Sequence, residues 1–313
     1  MIKPIIIAGP TASGKSTLGL WLAKEINGVI ISADSMQIYR KMDIGTAKPT
    51  EEERKSVPHK LIDIVDIGES FSVSDYKEEA EKEIEAAMGA EKVPVIVGGT
   101  GLYIDALVNN TDFGDFECPP DIRARLVYQA ENGGGAELYD MLTAVDPKTA
   151  ARLHVNDTKR IIRALEIYIA TGKTMSYYIE KSRLNPPKYE YLMFIIEFAD
   201  RSALYERIDR RIDEMLLSGL CDETKALYKD GLADAVTAAQ AIGYKELCGW
   251  LEGRLGYNEA VELLKRRTRN YAKRQISWFS RYESAIRLYA DRGDTADPAR
   301  NDRVLTKVKK FLS

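Results

Sequence analysis

Ile5-Ile6-Ile7-Ala8 runs without interruption into Gly9-Pro10-Thr11-Ala12-Ser13-Gly14-Lys15-Ser16, a full match to G-x-x-x-x-G-K-[ST]. The four apolar residues read as a buried strand, and Ser16 to Ile26 reads as a helix. A strand, a glycine-rich turn and a helix in that order leave few folds open: a parallel sheet covered by helices, with a phosphate-binding turn at its carboxyl edge. Small residues let successive backbone N–H groups point at phosphate oxygens, and the helix N-terminus adds positive potential. Lys15 supplies a mobile charge, and Ser16 or Thr17 can ligand Mg²⁺. Gly9, Pro10, Thr11, Ala12, Ser13, Gly14, Lys15, Ser16 and Thr17 are therefore candidate phosphate ligands, with Ser16 the candidate metal ligand.

The pattern continues as such a sheet requires. Val29 to Ser32, Leu61 to Val65 and Val93 to Val97 read as further strands, with a charged helix from about Asp75 to Met88, and Tyr191 to Phe198 returns to strand character. Between Thr111 and Pro187 strand signals vanish. Helices are expected at Pro120 to Glu131, Ala136 to Ala144 and Asp157 to Ala170, separated by Gly133-Gly134-Gly135 and Asp146-Pro147 and closed by Gly172. The fold class is thus α/β, a P-loop NTPase-like parallel sheet core flanked by helices, with a mostly helical insertion domain. Residues 1–110 form the first part of the core, 111–187 the insertion, and 188–313 the core continuation with C-terminal basic helices. After Asp200 the pattern is helical, ending in a long stretch from about Glu259 to Tyr282.

At 313 residues the chain can bury a real core, and 45% hydrophobic with 30% charged residues excludes a disordered or collagen-like chain. No apolar run is long enough to span a bilayer, and the apolar start lacks a basic leader, so a cytosolic protein with no membrane partner is expected. Cys118, Cys221 and Cys248 are too few for a disulfide framework and too far apart for a zinc site, and read as structural thiols. The net charge of −3 gives no hint of a nucleic-acid partner, but its distribution does. Lys265, Arg266, Arg267, Arg269, Lys273, Arg274 and Arg281 fall in a stretch without one acid, interleaved with Tyr271, Trp278 and Phe279. Such a stretch cannot pair with itself and should attract phosphates. Lys159, Arg160 and Arg163 make a smaller basic cluster in the insertion.

A phosphate cradle does not say what is done with the phosphates. Ile62-Asp63-Ile64-Val65-Asp66 offers the acid-terminated strand of a kinase or NTPase, whereas Val95-Ile96-Val97 ends in Gly98-Gly99-Thr100-Gly101. Gly9 to Thr17, Asp34-Ser35-Met36-Gln37-Ile38-Tyr39, Gly45-Thr46-Ala47-Lys48-Pro49 and Gly98-Gly99-Thr100-Gly101-Leu102-Tyr103 together resemble the bacterial tRNA dimethylallyltransferases. The likeness extends through Asn156-Asp157, Arg163 to Glu166, Gln240 to Glu246 and Tyr271-Ala272-Lys273-Arg274-Gln275, and so covers nearly the whole chain. Two positions depart from the pattern: Lys60 stands where a second histidine is expected, and Ser280 where an arginine is expected.

The resemblance implies transfer of a dimethylallyl group from dimethylallyl diphosphate to N6 of the adenosine 3′ to the anticodon, in tRNAs reading codons that begin with U. Isopentenyl transfer to a free adenine nucleotide and small-molecule phosphorylation are the alternatives. The implied partners are the anticodon stem-loop of tRNA and the prenyl diphosphate, the implied cofactor is Mg²⁺, and a monomer is expected. Asp34, ending the second strand, would take the proton of the adenine amine, with Thr100 beside the reacting base and Lys15 on the departing diphosphate. Arg207 and Arg211 lie four apart opposite the apolar side Leu204, Ile208, Ile212 and Met215. The sequence leaves open whether both are solvated or one closes on the diphosphate. Ser35, Met36, Gln37, Arg123, Gln240, Gly243, Tyr244, Lys245, Arg269, Lys273, Arg274 and Gln275 join Asp34, Thr100 and the insertion cluster as candidate tRNA contacts, Gln37 and Gln240 as readers of a base edge. A stacked base cannot reach a buried carboxylate, so the target must turn out of the loop.

Overall fold

The computed structural model describes residues 3–111, 119–182, 184–291 and 298–313. The chain forms two compact units, Met1–Ile104 with Tyr189–Ser313, and Asp105–Lys188. Cys118 lies outside the described residues, whereas Cys221 and Cys248 are free thiols.

The first unit is built on six parallel strands, β1 (Ile5–Ala8), β2 (Gly28–Ala33), β3 (His59–Lys60), β4 (Val93–Gly98), β5 (Leu192–Glu197) and β6 (Ile286–Tyr289), in the order β3-β2-β4-β1-β5-β6. All four residues of β1 are fully buried, as a central strand covered on both faces demands. Ile5, Ile7, Val95, Val97, Phe194 and Ile196 share one core with Leu18 and Leu22 of α1 (Lys15–Glu25). The α/β class expected from the alternating pattern is the class observed.

Register brings the site together. Ala8 pairs with Gly98 and Ala33 also pairs with Gly98, so β1, β2 and β4 end at one level and their loops start side by side. Only glycine fits at 98, because a Cβ there would lie 2.1 Å from the Ala33 carbonyl oxygen.

Local signals start the covering helices. Thr50 with Glu53 and Ser72 with Asp75 form capping boxes on α2 (Glu51–Ser56) and α3 (Val73–Gly89), and Gly101–Val108 follows β4 as α4. In the second unit α5 (Pro120–Gln129), α6 (Gly135–Val145), α7 (Pro147–Ala150), α8 (Thr158–Thr171) and α9 (Met175–Ser182) pack around Leu126, Leu138, Leu142, Ile161 and Leu165. The first unit continues with α10 (Arg201–Leu217), α11 (Leu220–Lys229), α12 (Tyr244–Leu251), α13 (Tyr257–Phe279) and α14 (Pro298–Leu312). Leu204, Ile208 and Ile212 of α10 meet Leu227, Tyr244, Leu247 and Leu264 in a second core.

Two expectations change. Leu61 to Val65 is not a strand: Leu61 (φ 60°) and Asp63 (φ 58°) are left-handed, which stops the ladder after Lys60. Ile286–Tyr289 is an edge strand, hidden in the sequence by its short, mixed Ile-Arg-Leu-Tyr composition.

Candidate active site

The glycine-rich turn forms the floor of a cleft of about 360 Å³ at the carboxyl edge of the sheet, where ligands gather in open α/β folds. Gly14, at φ 86°, turns the chain into α1 without a Cβ penalty. Thr11, Ala12, Ser13, Gly14, Lys15, Ser16 and Thr17 all line the cleft. Gly9 and Pro10 stand behind it: a Cβ on Gly9 would sit 2.8 Å from the Ile196 carbonyl oxygen, and Pro10 O accepts from Lys15 Nζ at 3.1 Å. Burial and the Arg211 guanidinium lower the Lys15 pKa to about 8, against the opposing pull of Asp34.

Ser13 is fully buried, and its hydroxyl has no hydrogen-bond partner. An anionic oxygen bound in the cradle would supply the acceptor.

The two arginines left open by periodicity both reach this loop. Arg207 Nε donates to Ala12 O at 3.1 Å, and Arg211 Nη1 donates to Thr11 Oγ1 at 3.3 Å. Desolvation lowers the Arg211 pKa, with Asp34 opposing it, yet guanidinium stays charged.

A second cleft of about 300 Å³ shares Thr11, Ala12, Asp34, Thr46, Arg211 and Tyr271 with the first. Its walls are more apolar, with Ile208, Ile212, Met215, Leu220 and Leu264 alongside Ser35, Met36 and Arg274. Asp34 faces both spaces. Its Oδ1 accepts from Met36 N at 2.9 Å, which fixes the carboxylate by its own loop. Thr100 Oγ1 accepts from Ser35 N at 3.0 Å, joining the turn after β4 to the turn after β2. Phosphate donors, an acid and a hydroxyl are thereby gathered by three loops.

Several expected RNA contacts also hold the protein's own loops, and of these Gln37 and Gln275 line the first cleft and Gly243 the second. Gln37 Nε2 donates to Thr46 O and Ala47 O at 3.1 and 3.2 Å, and its Oε1 accepts from Ser32 Oγ at 2.9 Å, so the amide is engaged inside the protein. Tyr244 is fully buried, and its hydroxyl donates to Glu223 Oε1 at 2.6 Å while accepting from Gly45 N at 3.1 Å. Gly243 is also buried, at φ 103°, and donates to Glu246 Oε2 as α12 begins. Gln275 is buried between two loops of the site. Gln240, in contrast, is exposed at the second cleft, with Oε1 accepting from Lys245 Nζ at 2.7 Å.

The acid-free stretch of α13 also pairs, but with other elements. Lys265 meets Asp213, Arg267 meets the buried Glu246, and Arg269 binds both oxygens of Asp209 at 2.6 and 2.7 Å. Lys273 and Arg274 remain exposed, their cations over the rings of Tyr205 and Tyr271. The interleaved aromatics do not form an outward stacking face. Phe279 is buried and Trp278 packs against Gly101. In the second unit, Arg123 and Arg163 pair with the buried Glu166, Arg160 pairs with Asp157, and Lys159 is exposed.

Asp63, the acid considered for an NTPase metal, is held by Lys48 at 2.5 Å and Arg54 at 2.7 Å. Asp66 pairs with Arg40. The residues that sequence reasoning missed are Glu223, which receives the backbone N–H groups of Asp43, Ile44 and Gly45, and Tyr271 as a wall of both clefts. The spacing of Tyr271 and Gln275, four apart on one helix, was the available signal for an inward face.

A parallel α/β sheet with a complete phosphate cradle, and an acid beside it, defines the P-loop-like class of phosphate-binding proteins. Within that class the chain belongs to the IPP transferase family, whose model matches residues 37–282. It is 44% identical over 313 residues to the tRNA dimethylallyltransferase of Acetivibrio thermocellus, covering 100% of this chain and 98% of that one. It is 48% identical over 312 residues to the Carboxydothermus hydrogenoformans protein of the same name, covering 99% of each. Among solved structures it is similar to a eukaryotic dimethylallyltransferase acting on tRNA, with a TM-score of 0.81, 31% identity and coverage of 100% of this chain and 80% of that one. The full-length tRNA isopentenylpyrophosphate transferase of Bacillus halodurans gives a TM-score of 0.74 at 40% identity, covering 100% of this chain and 97% of that one.

Proposed function

We propose that the chain transfers a dimethylallyl group from dimethylallyl diphosphate to N6 of the adenosine 3′ to the anticodon, in tRNAs reading codons that begin with U. The observation that carries the reading is the joining of two spaces through Asp34: a cationic cradle on one side and a more apolar cleft on the other. The bond from the allylic carbon to the diphosphate oxygen breaks, the diphosphate leaves with the electron pair, and the same carbon bonds to N6. Asp34 accepts the N6 proton, a contribution of about 10²–10⁴-fold for a positioned base. Thr100 holds the Asp34 loop by accepting from Ser35 N, which positions the base rather than touching the substrate. Lys15, Arg207, Arg211 and the N–H groups of the turn receive the leaving charge, the kind of preorganised stabilisation that is usually the largest catalytic term.

The cradle suits Mg²⁺. Among the described residues no three acidic, His or Cys side chains cluster as a metal cage, and Ser16 offers one hard oxygen at the cleft. That is the sparse protein ligation Mg²⁺ accepts when substrate phosphates and water complete its shell. When bound, the ion would supply positive charge to the departing diphosphate. Lys273 and Arg274 are exposed in the first unit and Lys159 in the second, cations of the kind that contact RNA phosphates. No helix among the described residues is long and apolar enough to cross a membrane. The reading takes the enzyme as a cytoplasmic monomer working on tRNA.

The test mixes the protein with Mg²⁺, unmodified tRNA and labelled dimethylallyl diphosphate, with AMP and ATP competing. Label in the RNA, abolished by Asp34→Asn, is the expected result. Label in AMP, or ATP turnover without transfer, would overturn it.

A further inference from the structure

Gln275 sits on the helix with the exposed cations Lys273 and Arg274, but it is only 5% exposed and stands in the wall of the first cleft. Its Oε1 accepts from Thr11 N at 2.8 Å, and its Nε2 donates to Gly99 O at 2.8 Å. Thr11 lies in the phosphate cradle, and Gly99 precedes Thr100, which holds Ser35 N beside Asp34. One side chain therefore ties the loop after β1 to the turn after β4, and that turn is tied to the loop after β2. These strands are paired to their ends, but beyond Ala8, Ala33 and Gly98 the ladder no longer sets the distance between the loops. The fit is close: a Cβ on Gly99 would lie 2.3 Å from Gln275 Nε2.

The chemistry of the link selects glutamine. One end must accept from an N–H and the other must donate to a carbonyl, and a primary amide carries both functions. Glutamate keeps the acceptor but turns an anionic oxygen toward Gly99 O. Methionine keeps the length and removes both bonds. Buried polar groups deprived of a partner carry their full desolvation penalty, so the two loops would separate to find water.

We propose that Gln275 is a positioning residue for the reaction: it sets the phosphate cradle at a fixed distance from the Thr100–Asp34 side, so that the leaving diphosphate and the attacking amine stay in line. This rests on the function proposed above and gives Gln275 a task distinct from contacting RNA. Misplacement of reacting groups by about 1 Å costs on the order of 10²-fold in rate.

The experiment compares the full chain with Gln275→Met and Gln275→Glu. It measures kcat and KM for prenyl transfer to tRNA, tRNA affinity across a salt series, and affinity for inorganic pyrophosphate with Mg²⁺. In both variants kcat is expected to fall by about 10²-fold, tRNA affinity and its salt slope to stay at wild-type values, and pyrophosphate affinity to weaken as the cradle loses its preset shape. A solely stabilising role would lower the melting temperature and leave kcat intact well below it, which would overturn the proposal. Loss of tRNA affinity in step with turnover would also overturn it, in favour of an RNA contact. If Gln275→Met does not fold, Gln275→Glu, which retains the bond from Thr11, carries the test. Absence of transfer by the wild-type chain would instead overturn the proposed function, and wild-type pyrophosphate affinity in both variants would then overturn the positioning role separately.

Discussion

Replacing Tyr244 by phenylalanine removes one oxygen from a polar knot that fixes a wall of the cleft. The hydroxyl donates to Glu223 at 2.6 Å and accepts from Gly45 N at 3.1 Å. Glu223 also receives the backbone N–H groups of Asp43 and Ile44, so one carboxylate organises the turn leading to Thr46, Ala47, Lys48 and Pro49 at the cleft. A buried hydrogen bond to a charged group contributes about 1.5–3 kcal/mol. The ring packing is retained, so Tyr244→Phe should cost about 2 kcal/mol, the middle of that range. At roughly 2–4 °C per kcal/mol for a unit of this size, the melting temperature should drop by about 4–8 °C. Glu223→Gln and the double variant complete a cycle in which the two losses are not additive, because both remove the same bond. Thermal unfolding reads the stability, and a salt series reads tRNA binding, which should not change. An unchanged melting temperature together with weakened tRNA binding would refute the assignment and return Tyr244 to the RNA face.

Asp34→Asn keeps the shape of the carboxylate but cannot take a proton, so turnover should fall by about 10²–10⁴-fold with tRNA affinity retained, as steady-state rates and filter binding would show. Charge reversal at exposed Lys273 and Arg274 should reduce the magnitude of the log–log salt slope of tRNA binding by about 1 per charge. Arg269→Ala, which strands Asp209, should leave that slope alone and lower stability by roughly 0.5–1 kcal/mol. Burial would raise the Asp63 pKa, but bonds from Lys48 and Arg54 outweigh it and hold the group below its ordinary 3.8. A depressed carboxylate stabilises above its unfolded pKa and loses that contribution as pH falls through the folded value. Asp63→Asn should therefore melt lower than wild type at pH 7, and the gap should close as the pH drops below 3.8.

The strand, turn and helix at the N-terminus were legible because their information is local: four apolar residues, glycines and a lysine at fixed spacing dictate a cradle wherever they occur. The central strands, the helical character of 120–182 and the basic composition of α13 were legible for the same reason, since periodicity and composition need no partner. What each polar side chain does with its hydrogen bonds could not be read in this way. Lys265, Arg267 and Arg269 open a stretch of α13 that holds no acid after Glu262, yet α10 and α12 supply one to each. Gln37, Tyr244 and Gln275 occupy motif segments that invite an RNA reading, and tertiary packing gives all three a loop to hold, Tyr244 in the core and the two glutamines at the wall of the first cleft. Leu61–Val65 has the composition of a strand, but left-handed residues at 61 and 63 end it, and Lys48 and Arg54 capture Asp63. The sequence by itself determined the four inner strands of the sheet, the phosphate turn and which residue types were available for chemistry, but not the two edge strands. Tertiary structure decided which cations stay exposed and which loops share a wall, because those depend on contacts between residues far apart in the chain.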